Sequence, residues 1–482
     1  MTKLLSNIRI EQLSRDTDYL GIIDKGNLIK SFLIGTKDSF DEIKMFSLYG
    51  DWGSGKSSLM KFLQNELSED FNTFFFEAWE YEKDENLAMS IIEFITQESN
   101  SVSEEFYDDV LKYGGRLLRG LGKSVKLNIP LFTNGPSIEL NPSAFVEELA
   151  KSEEISFYEA LKKFKQDFIR LEDFITRGNN PKYNIIFIDD LDRCEPQQVL
   201  NLMSAIKLFF TYGKKTIFFC GIDKSAVEAA VKTKYGKIVK SNEYLEKIFD
   251  ISFSMPEHYD LQKLIDHYFD KRTYSVGQEH TPINSRIHDF FYELNFLNPR
   301  RVKKVLNKYQ MFRSFKSIGN NIEVFPSIDM KNNSEKSFFE TILVLYLIIL
   351  HEFFPTDFED FLNFDKKKKV YSAALEDATN YISELRHAIT NNYSKKKFSE
   401  MNTSNNQTRK SFWICLSPLN VEKINLNALL HQSSEQITVS KNHIDFLFYK
   451  YINNYHIEDL LDGRHRSNCT LFTIKKIIKD LL

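Results

Sequence analysis

Apolar positions follow two different periods along residues 1–260 of the 482-residue chain. Uninterrupted apolar runs indicate buried strands, whereas apolar residues spaced three and four apart indicate helices. Because the two patterns alternate, we predict βαβ crossovers and a mostly parallel sheet within a three-layer α/β/α core. The runs that indicate strands are 45–49, 73–78, 183–188, 216–220 and 248–253.

The intervening amphipathic stretches predict helices at 57–67, 88–95, 157–174 and 196–210. Pro196 supports the start of the last of these, since proline is well tolerated in a first helical turn. Glycine and proline pairs interrupt the rhythm between residues 100 and 150, which we assign to an insertion in the core.

Helical periodicity alone continues beyond Pro256. We therefore assign residues 1–260 to the α/β core, 261–330 to a helical subdomain and 331–482 to an α-helical C-terminal region. The C-terminal region is expected to bind a protein partner.

Composition and charge narrow the class of protein. Hydrophobic residues make up 42% of the chain and charged residues 27%, as in soluble globular proteins. The formal net charge of −4 disfavours broad nucleic-acid binding, although a local basic groove would not show in this sum. The longest apolar run, 342–350, is too short to span a bilayer.

Four cysteines occur without any metal-binding spacing, which indicates reduced thiols and a cytoplasmic location. Association with a membrane would then require a partner.

The strongest chemical signal follows the first predicted strand, where the chain fits G-x-x-x-x-G-K-S/T. Glycines let main-chain N–H groups approach phosphate oxygens, Lys56 supplies a charge for the β- and γ-phosphates, and the Ser57 hydroxyl is a ligand for Mg²⁺. The alternative is a glycine-rich turn that binds nothing. The residues assigned to nucleotide binding are Gly50, Asp51, Trp52, Gly53, Ser54, Gly55, Lys56, Ser57 and Ser58.

Two carboxylates follow the predicted strand 183–188. A buried strand that ends in carboxylates is the expected Mg²⁺-side partner of a P-loop. We predict that Asp189 holds Mg²⁺ through water and that Asp190 orients or deprotonates the attacking water. Without the P-loop, an ordinary strand followed by an acidic loop would explain the same residues.

The phosphoryl group of the transition state needs a further cation, for which Arg193, Arg300 and Arg301 are candidates. A solvated basic helix face explains the Arg300–Arg301 pair equally well. Asp223 could sense the γ-phosphate or cap a helix. No Asn-Lys-x-Asp segment of the guanine-reading type occurs in the chain, so ATP is favoured over GTP.

Several segments in the same order resemble the KAP family of P-loop NTPases between about residues 15 and 350. They include the glycine loop with its tryptophan and the Asp-Asp strand, which correspond to the Walker A and Walker B motifs of that family. The others are Asp18-Tyr19-Leu20-Gly21, Phe76-Glu77-Ala78-Trp79-Glu80-Tyr81, Tyr244-Leu245-Glu246-Lys247-Ile248, Met255-Pro256 and Asn298-Pro299-Arg300-Arg301.

The resemblance implies an ATPase of the additional-strand type, with the Walker B strand next to the P-loop strand. It also implies a prokaryotic role at a membrane or in phage exclusion. The chain departs from the family in two places. Residues 100–150 lack the transmembrane helices that many members insert there, and Glu77 replaces the usual asparagine.

Three functions fit these observations. The first is an ATP-hydrolysing conformational switch in phage defence or signalling. The second is a nucleotide-gated binding scaffold with little turnover, and the third is a nucleic-acid-stimulated ATPase. A homo-oligomer is plausible in each case, because an arginine can act across a subunit boundary.

Overall fold

The fold is described from a computed structural model of the chain. It describes residues 4–7, 9–84, 87–98, 125–128, 138–140, 157–176, 183–235, 241–256, 259–269, 273–276, 279–318, 335–356 and 358–359.

The core is a five-stranded sheet in which every neighbouring pair of strands is parallel. The α/β class predicted from the sequence is therefore confirmed. Two antiparallel hairpins complete the described strands, and β3 and β4 of the first hairpin lie within the predicted insertion. The strands are β1 (Met45–Tyr49), β2 (Asn72–Glu77), β3 (Val125–Asn128), β4 (Ile138–Leu140), β5 (Asn184–Asp189), β6 (Thr216–Ile222), β7 (Ile251–Ser254), β8 (Thr273–Val276) and β9 (Glu279–Pro282).

Helices connect and follow these strands. The α-helices are α1 (Ile22–Gly35), α2 (Lys56–Glu66), α3 (Leu87–Glu98), α4 (Phe157–Ile175), α5 (Pro196–Phe209), α6 (Lys224–Tyr235), α7 (Ser241–Ile248), α8 (Gln262–Tyr268), α9 (Ile283–Glu293), α10 (Pro299–Ile318) and α11 (Glu335–Phe353). Short 3₁₀ turns cover Lys37–Ser39, Ala78–Tyr81, Leu191–Arg193 and Phe210–Tyr212.

Helices cover both faces of the sheet, which gives the three layers that the alternating pattern predicts. Strand β5 is buried along its whole length, and its successive side chains enter opposite cores. Ile185 and Phe187 pack with α1 and α2, whereas Ile186 and Ile188 pack with α3, α4, α5, α6 and α7. Burial on both faces explains why this strand is a continuous apolar run in the sequence.

A row of phenylalanine rings crosses the sheet on the face covered by α1 and α2. Phe75, Phe187, Phe219 and Phe46 occupy paired positions on β2, β5, β6 and β1, with successive ring centroids 6.2, 5.4 and 6.4 Å apart. Such ring pairs contribute about 0.5–1.5 kcal/mol each beyond their burial. The row therefore favours this order of strands over arrangements that would separate the rings.

The strand order corrects one expectation drawn from the family resemblance. The order is β2-β5-β6-β1-β7, so β6 lies between the P-loop strand β1 and the Walker B strand β5. The expectation that these two strands are neighbours was wrong. Two strand spacings of about 4.8 Å separate β1 from β5, which leaves room for a phosphoryl group between the loop and the carboxylates.

One element boundary differs from the sequence prediction because an apolar run is shared between a helix and a strand. The predicted strand 248–253 begins with the last residue of helix α7, and strand β7 starts only at Ile251. Ile248, the last residue of α7, and Phe249, which follows it, are buried in the core between the sheet and its helices. Periodicity cannot divide so short a run.

The chain divides into two compact units, Ile8–Tyr259 and a second unit formed by Met1–Asn7 with Asp260–Leu482. Helices α8 to α11 and strands β8 and β9 belong to the second unit. The subdivision into 1–260, 261–330 and 331–482 stays a prediction. Most of the predicted insertion 100–150, and the region beyond residue 359, lie outside the described residues. Within the described part of the chain, no helix has the length and apolar composition needed to cross a bilayer.

Asp18 fixes the start of α1, and this contact leads to a prediction about stability. Its buried carboxylate accepts hydrogen bonds from the N–H groups of Leu20, Ile22 and Ile23 at 3.2, 3.1 and 2.9 Å. Asp18→Ala would leave these donors without their acceptor and is expected to lower the free energy of unfolding by about 2 kcal/mol.

Urea unfolding followed by circular dichroism measures this change. Asp16→Ala is the matched control, because Asp16 is exposed two residues away, and we expect it to change stability by less than about 0.5 kcal/mol. Equal effects of the two substitutions would contradict the capping role of Asp18.

Candidate active site

The glycine loop connects the end of β1 to the start of α2. The Gly50 N–H donates to the Ile222 carbonyl at 3.1 Å, which ties the loop to the end of β6, and the Ser54 N–H donates to the Asp51 carbonyl at 3.1 Å. Gly53 and Gly55 have φ values of 84° and 98°, in the left-handed region that favours glycine. The loop is therefore a turn over the end of the sheet, and the helix that follows points its N-terminus toward the loop.

Lys56 lies across this loop instead of extending into solvent. Its side chain is buried, and Nζ donates to the carbonyls of Gly50 and Asp51 at 2.7 and 3.2 Å. An ammonium group held there by two neutral acceptors is available to a phosphate, which binds it more strongly because the contact is between opposite charges. The geometry fits the role predicted for Lys56.

Ser57 and Ser58 occupy the first turn of α2, as the motif predicts. The Ser58 hydroxyl accepts a hydrogen bond from the Ile10 N–H at 3.1 Å, so this serine anchors the N-terminal segment to α2. The residue Trp52 is 60% exposed, and its main-chain N–H donates to Asp223 Oδ2 at 3.2 Å.

Gly50 has no space for a side chain. A Cβ at this position would lie 2.6 Å from Ser54 Oγ and 2.7 Å from Met255 Cγ. Gly50→Ala is therefore expected to displace the loop and to weaken nucleotide binding about tenfold or more, since relief of such a contact costs roughly 1–3 kcal/mol.

Calorimetric titration with ADP tests this expectation. Gly35→Ala is the control, because a Cβ at Gly35 meets no atom within 4 Å. If Gly50→Ala binds ADP with wild-type affinity, the loop tolerates the added methyl group and the prediction is contradicted.

Asp189 ends β5 and is 2% exposed. Its Oδ2 atom is buried and accepts no hydrogen bond from the described residues. Carboxylate and hydroxyl oxygens are the ligands that Mg²⁺ prefers, and Asp189 and Ser57 supply one of each. The described residues contain no group of three or more potential metal ligands, so phosphate oxygens and water would complete the coordination shell.

Asp190 follows in a left-handed conformation, with φ 57° and ψ 27°. This conformation is uncommon for residues other than glycine and costs energy there. Its Oδ1 atom is 3.0 Å from Arg193 Nε. Burial and the neighbouring charge of Asp189 raise the pKa of Asp190, and the cations Arg193 and Arg9 oppose that rise.

The three candidate arginines occupy different surroundings. Arg193 pairs with Asp190, and its guanidinium carbon lies 5.3 Å from the ring centroid of Trp79. Arg300 and Arg301 belong to α10 in the second unit, where Arg300 donates to the Asn7 carbonyl at 3.3 Å and Arg301 lies over the Phe353 ring. Their role at the phosphoryl group stays a prediction.

Asp223 caps α6, which confirms the capping alternative. Its Oδ1 atom accepts hydrogen bonds from the N–H and hydroxyl groups of Ser225 at 3.0 and 2.6 Å. Burial would raise the pKa of Asp223, but its hydrogen bonds with Ser225 and Ala226 and the charge of Lys56 together lower it. Because Oδ2 also accepts the Trp52 N–H, the same carboxylate links the end of β6 to the glycine loop.

Two residues near the site were missed by the sequence analysis. Arg9 forms an ion pair with Glu77, the last residue of β2. Tyr259 is half-buried beside the loop, and burial raises its pKa to about 12. Neither residue belongs to a local motif, so only the fold could reveal them.

A parallel sheet has a glycine loop after the interior strand β1 and carboxylates at the end of β5, with β6 between these two strands. This arrangement defines a P-loop nucleotide-binding domain. The family described as KAP family P-loop domain matches residues 33–315, and the chain belongs to this family. The family resemblance noted in the sequence is thereby confirmed.

Two relatives are the uncharacterized proteins MJ0182 and MJ0181 of Methanocaldococcus jannaschii. The chain is 35% identical to MJ0182 over 165 residues, which are 29% of this chain and 84% of that protein. It is 39% identical to MJ0181 over 115 residues, which are 23% of this chain and 44% of that protein. Because both proteins are uncharacterized, they assign no substrate or partner.

Proposed function

We propose that the protein hydrolyses ATP to ADP and phosphate with Mg²⁺. The observation that supports turnover, and not binding alone, is the pair of carboxylates at the end of β5. Asp189 keeps a buried oxygen that accepts no hydrogen bond from the described residues, and Asp190 adopts a left-handed conformation and forms an ion pair with Arg193. Strain of this kind is concentrated at functional sites.

Each residue has a distinct task in this proposal. The main-chain N–H groups of the glycine loop hold the phosphates, and Lys56 moves from its carbonyl partners to the β- and γ-phosphates. Ser57 and Asp189 hold Mg²⁺, which neutralises phosphate charge. Asp190 accepts a proton from the attacking water or orients that water.

Loss of the γ-phosphate would act as a conformational switch. The hydrogen bond between Trp52 and Asp223 supports this part of the proposal, because it connects the glycine loop to the start of α6. A change in the loop on hydrolysis would therefore reach a helix that is not itself part of the phosphate site.

A role in prokaryotic phage defence or signalling is proposed from the family resemblance. We further propose a cytoplasmic location, with a protein partner bound by the C-terminal region and with any membrane association through such a partner. The described cysteines, Cys194 and Cys220, are both free and buried, which is compatible with a reducing compartment.

Continuous phosphate release by the full chain, measured with ATP and Mg²⁺, tests the proposal. We expect linear release over many turnovers that stops when the metal is chelated. Binding of ATP without repeated turnover would instead indicate the nucleotide-gated scaffold. Turnover that requires added single- or double-stranded nucleic acid would indicate the nucleic-acid-stimulated alternative.

A further inference from the structure

The N-terminal segment, defined here as residues 9–11, lies along the helix that begins at the glycine loop. The Ile10 N–H donates to Ser58 Oγ at 3.1 Å, and Asn65 Nδ2 donates to the Glu11 carbonyl at 3.1 Å. These contacts are two turns apart on α2. The segment is therefore attached at the first turn of the phosphate-binding helix and again near its end.

Arg9 extends from this segment to the carboxyl edge of the sheet. Its Nη1 atom pairs with Glu77 Oε1, and its Nε donates to Glu11 Oε1 at 2.5 Å. The guanidinium carbon also lies 5.4 Å from the ring centroid of Phe75. The side chains of Arg9 and Glu77 are only 26% and 20% exposed, so their ion pair is partly withdrawn from solvent.

The position of Glu77 places this ion pair beside the candidate catalytic carboxylates. Glu77 on β2 is paired in register with Asp189 on β5, and neighbouring strands lie about 4.8 Å apart. Asp190 is the next residue after Asp189. Three carboxylates thus share this edge, with Arg193 paired to Asp190 and Arg9 paired to Glu77.

A bound triphosphate would change the charge balance at this edge. Its terminal phosphate lies between the glycine loop and the end of β5 if the proposed function is correct, and it adds negative charge close to Glu77. Guanidinium groups bind phosphate through two parallel hydrogen bonds, and such contacts are stronger than ordinary ones. Glu77 and the phosphate would therefore compete for Arg9.

We propose that Arg9 leaves Glu77 to contact the terminal phosphate of bound ATP and returns to Glu77 when ADP remains. This inference rests on the proposed function and extends it. Arg9 is then a cation supplied by the same chain, and Glu77 is the partner that holds it while the terminal phosphate is absent. The N-terminal segment that carries Arg9 reports which nucleotide is bound.

Affinities for ADP and for a non-hydrolysable ATP analogue, measured by calorimetry on the full chain with Mg²⁺, test this exchange. Arg9→Gln is expected to lower affinity for the analogue about tenfold and to leave ADP affinity within about twofold, because one charge-assisted contact is lost. Glu77→Gln is expected to raise affinity for the analogue about tenfold, because the competing acceptor is removed.

Both substitutions break the same ion pair, but we expect them to change the affinity for the analogue in opposite directions, and this difference is the test. A merely structural pair predicts that both substitutions weaken binding of both nucleotides equally. The double variant should match Arg9→Gln, and Arg9→Lys should retain part of the preference for the analogue. Glu66→Gln is the control, because it makes the same change of charge but Glu66 pairs with Lys30 and not with Arg9, and we expect both affinities to stay within about twofold of wild type.

If Arg9→Gln does not fold, Glu77→Gln decides alone. Its preference for the analogue over ADP must increase, and an unchanged or reduced preference overturns the exchange. If the wild type binds nucleotide and neither substitution changes the affinities, this inference is overturned but the proposed function stays intact. Absence of nucleotide binding by the wild type overturns both.

Discussion

Asp190→Asn is expected to lower kcat for ATP by about two to four orders of magnitude while ATP affinity stays within about threefold of wild type. The amide retains the size of the carboxylate but cannot accept a proton from water. The ion pair with Arg193 would become a weaker contact between a cation and a neutral amide, and the substitution leaves every residue of the glycine loop unchanged. Single-turnover phosphate release and calorimetry measure the two quantities separately.

Asp192→Asn is the control for this substitution. Asp192 lies in the 3₁₀ turn that follows Asp190, carries the same charge and is two residues from Asp190. We expect its kcat to stay within about threefold of wild type, as is usual for a partly exposed surface residue. If kcat falls equally in the two variants, the charge of this segment explains the effect, and the role of Asp190 as base is contradicted.

Lys56→Ala is expected to weaken ATP binding by about two orders of magnitude or more. Two charge-assisted contacts to phosphate are lost, and each contributes roughly 1.5–3 kcal/mol. The carbonyls of Gly50 and Asp51 also lose their donor, although both can turn to water at the loop surface. Calorimetric titration with ATP and Mg²⁺ measures the loss, and phosphate release should fall with it.

Lys30→Ala provides a matched comparison for Lys56→Ala. Lys30 lies on α1 and pairs with Glu66 at 2.7 Å on the surface, so its removal changes the net charge equally without touching the glycine loop. Such a surface ion pair contributes at most about 1 kcal/mol to stability. Unchanged ATP affinity in Lys56→Ala would contradict the assignment of the P-loop lysine.

The sequence identifies the sheet well because its strands are buried on both faces. The run from Ile185 to Ile188 is apolar and continuous, so no periodicity is needed to recognise it. The order of the strands in the sheet cannot be predicted in the same way. It depends on contacts between residues far apart in the chain, such as Phe187 with Phe219, and a pattern of separate runs does not contain them. The expectation that the Walker B strand lies beside the P-loop strand came from the family resemblance, and nothing in the pattern of runs could have corrected it.

In the candidate site, too, residues in local motifs were predicted and residues brought together only by the fold were not. The glycine loop was recognised because its chemistry is contained in nine consecutive positions, Gly50 to Ser58. Asp189 was recognised because it ends a buried strand. Arg9 was missed, since a single arginine in a polar segment carries no local signal, and only the fold brings it to Glu77. The left-handed conformation of Asp190 was likewise not predictable from its residue type.

Calorimetric titration of the wild-type chain with ATP and Mg²⁺ tests most directly whether the loop after β1 holds a nucleotide triphosphate. We predict saturable heat with one ATP per chain, a smaller affinity when Mg²⁺ is chelated, and no measurable binding in Lys56→Ala at the same concentrations. Absence of heat with both ATP and ADP in the presence of Mg²⁺ would contradict the P-loop assignment on which every functional proposal for this chain depends.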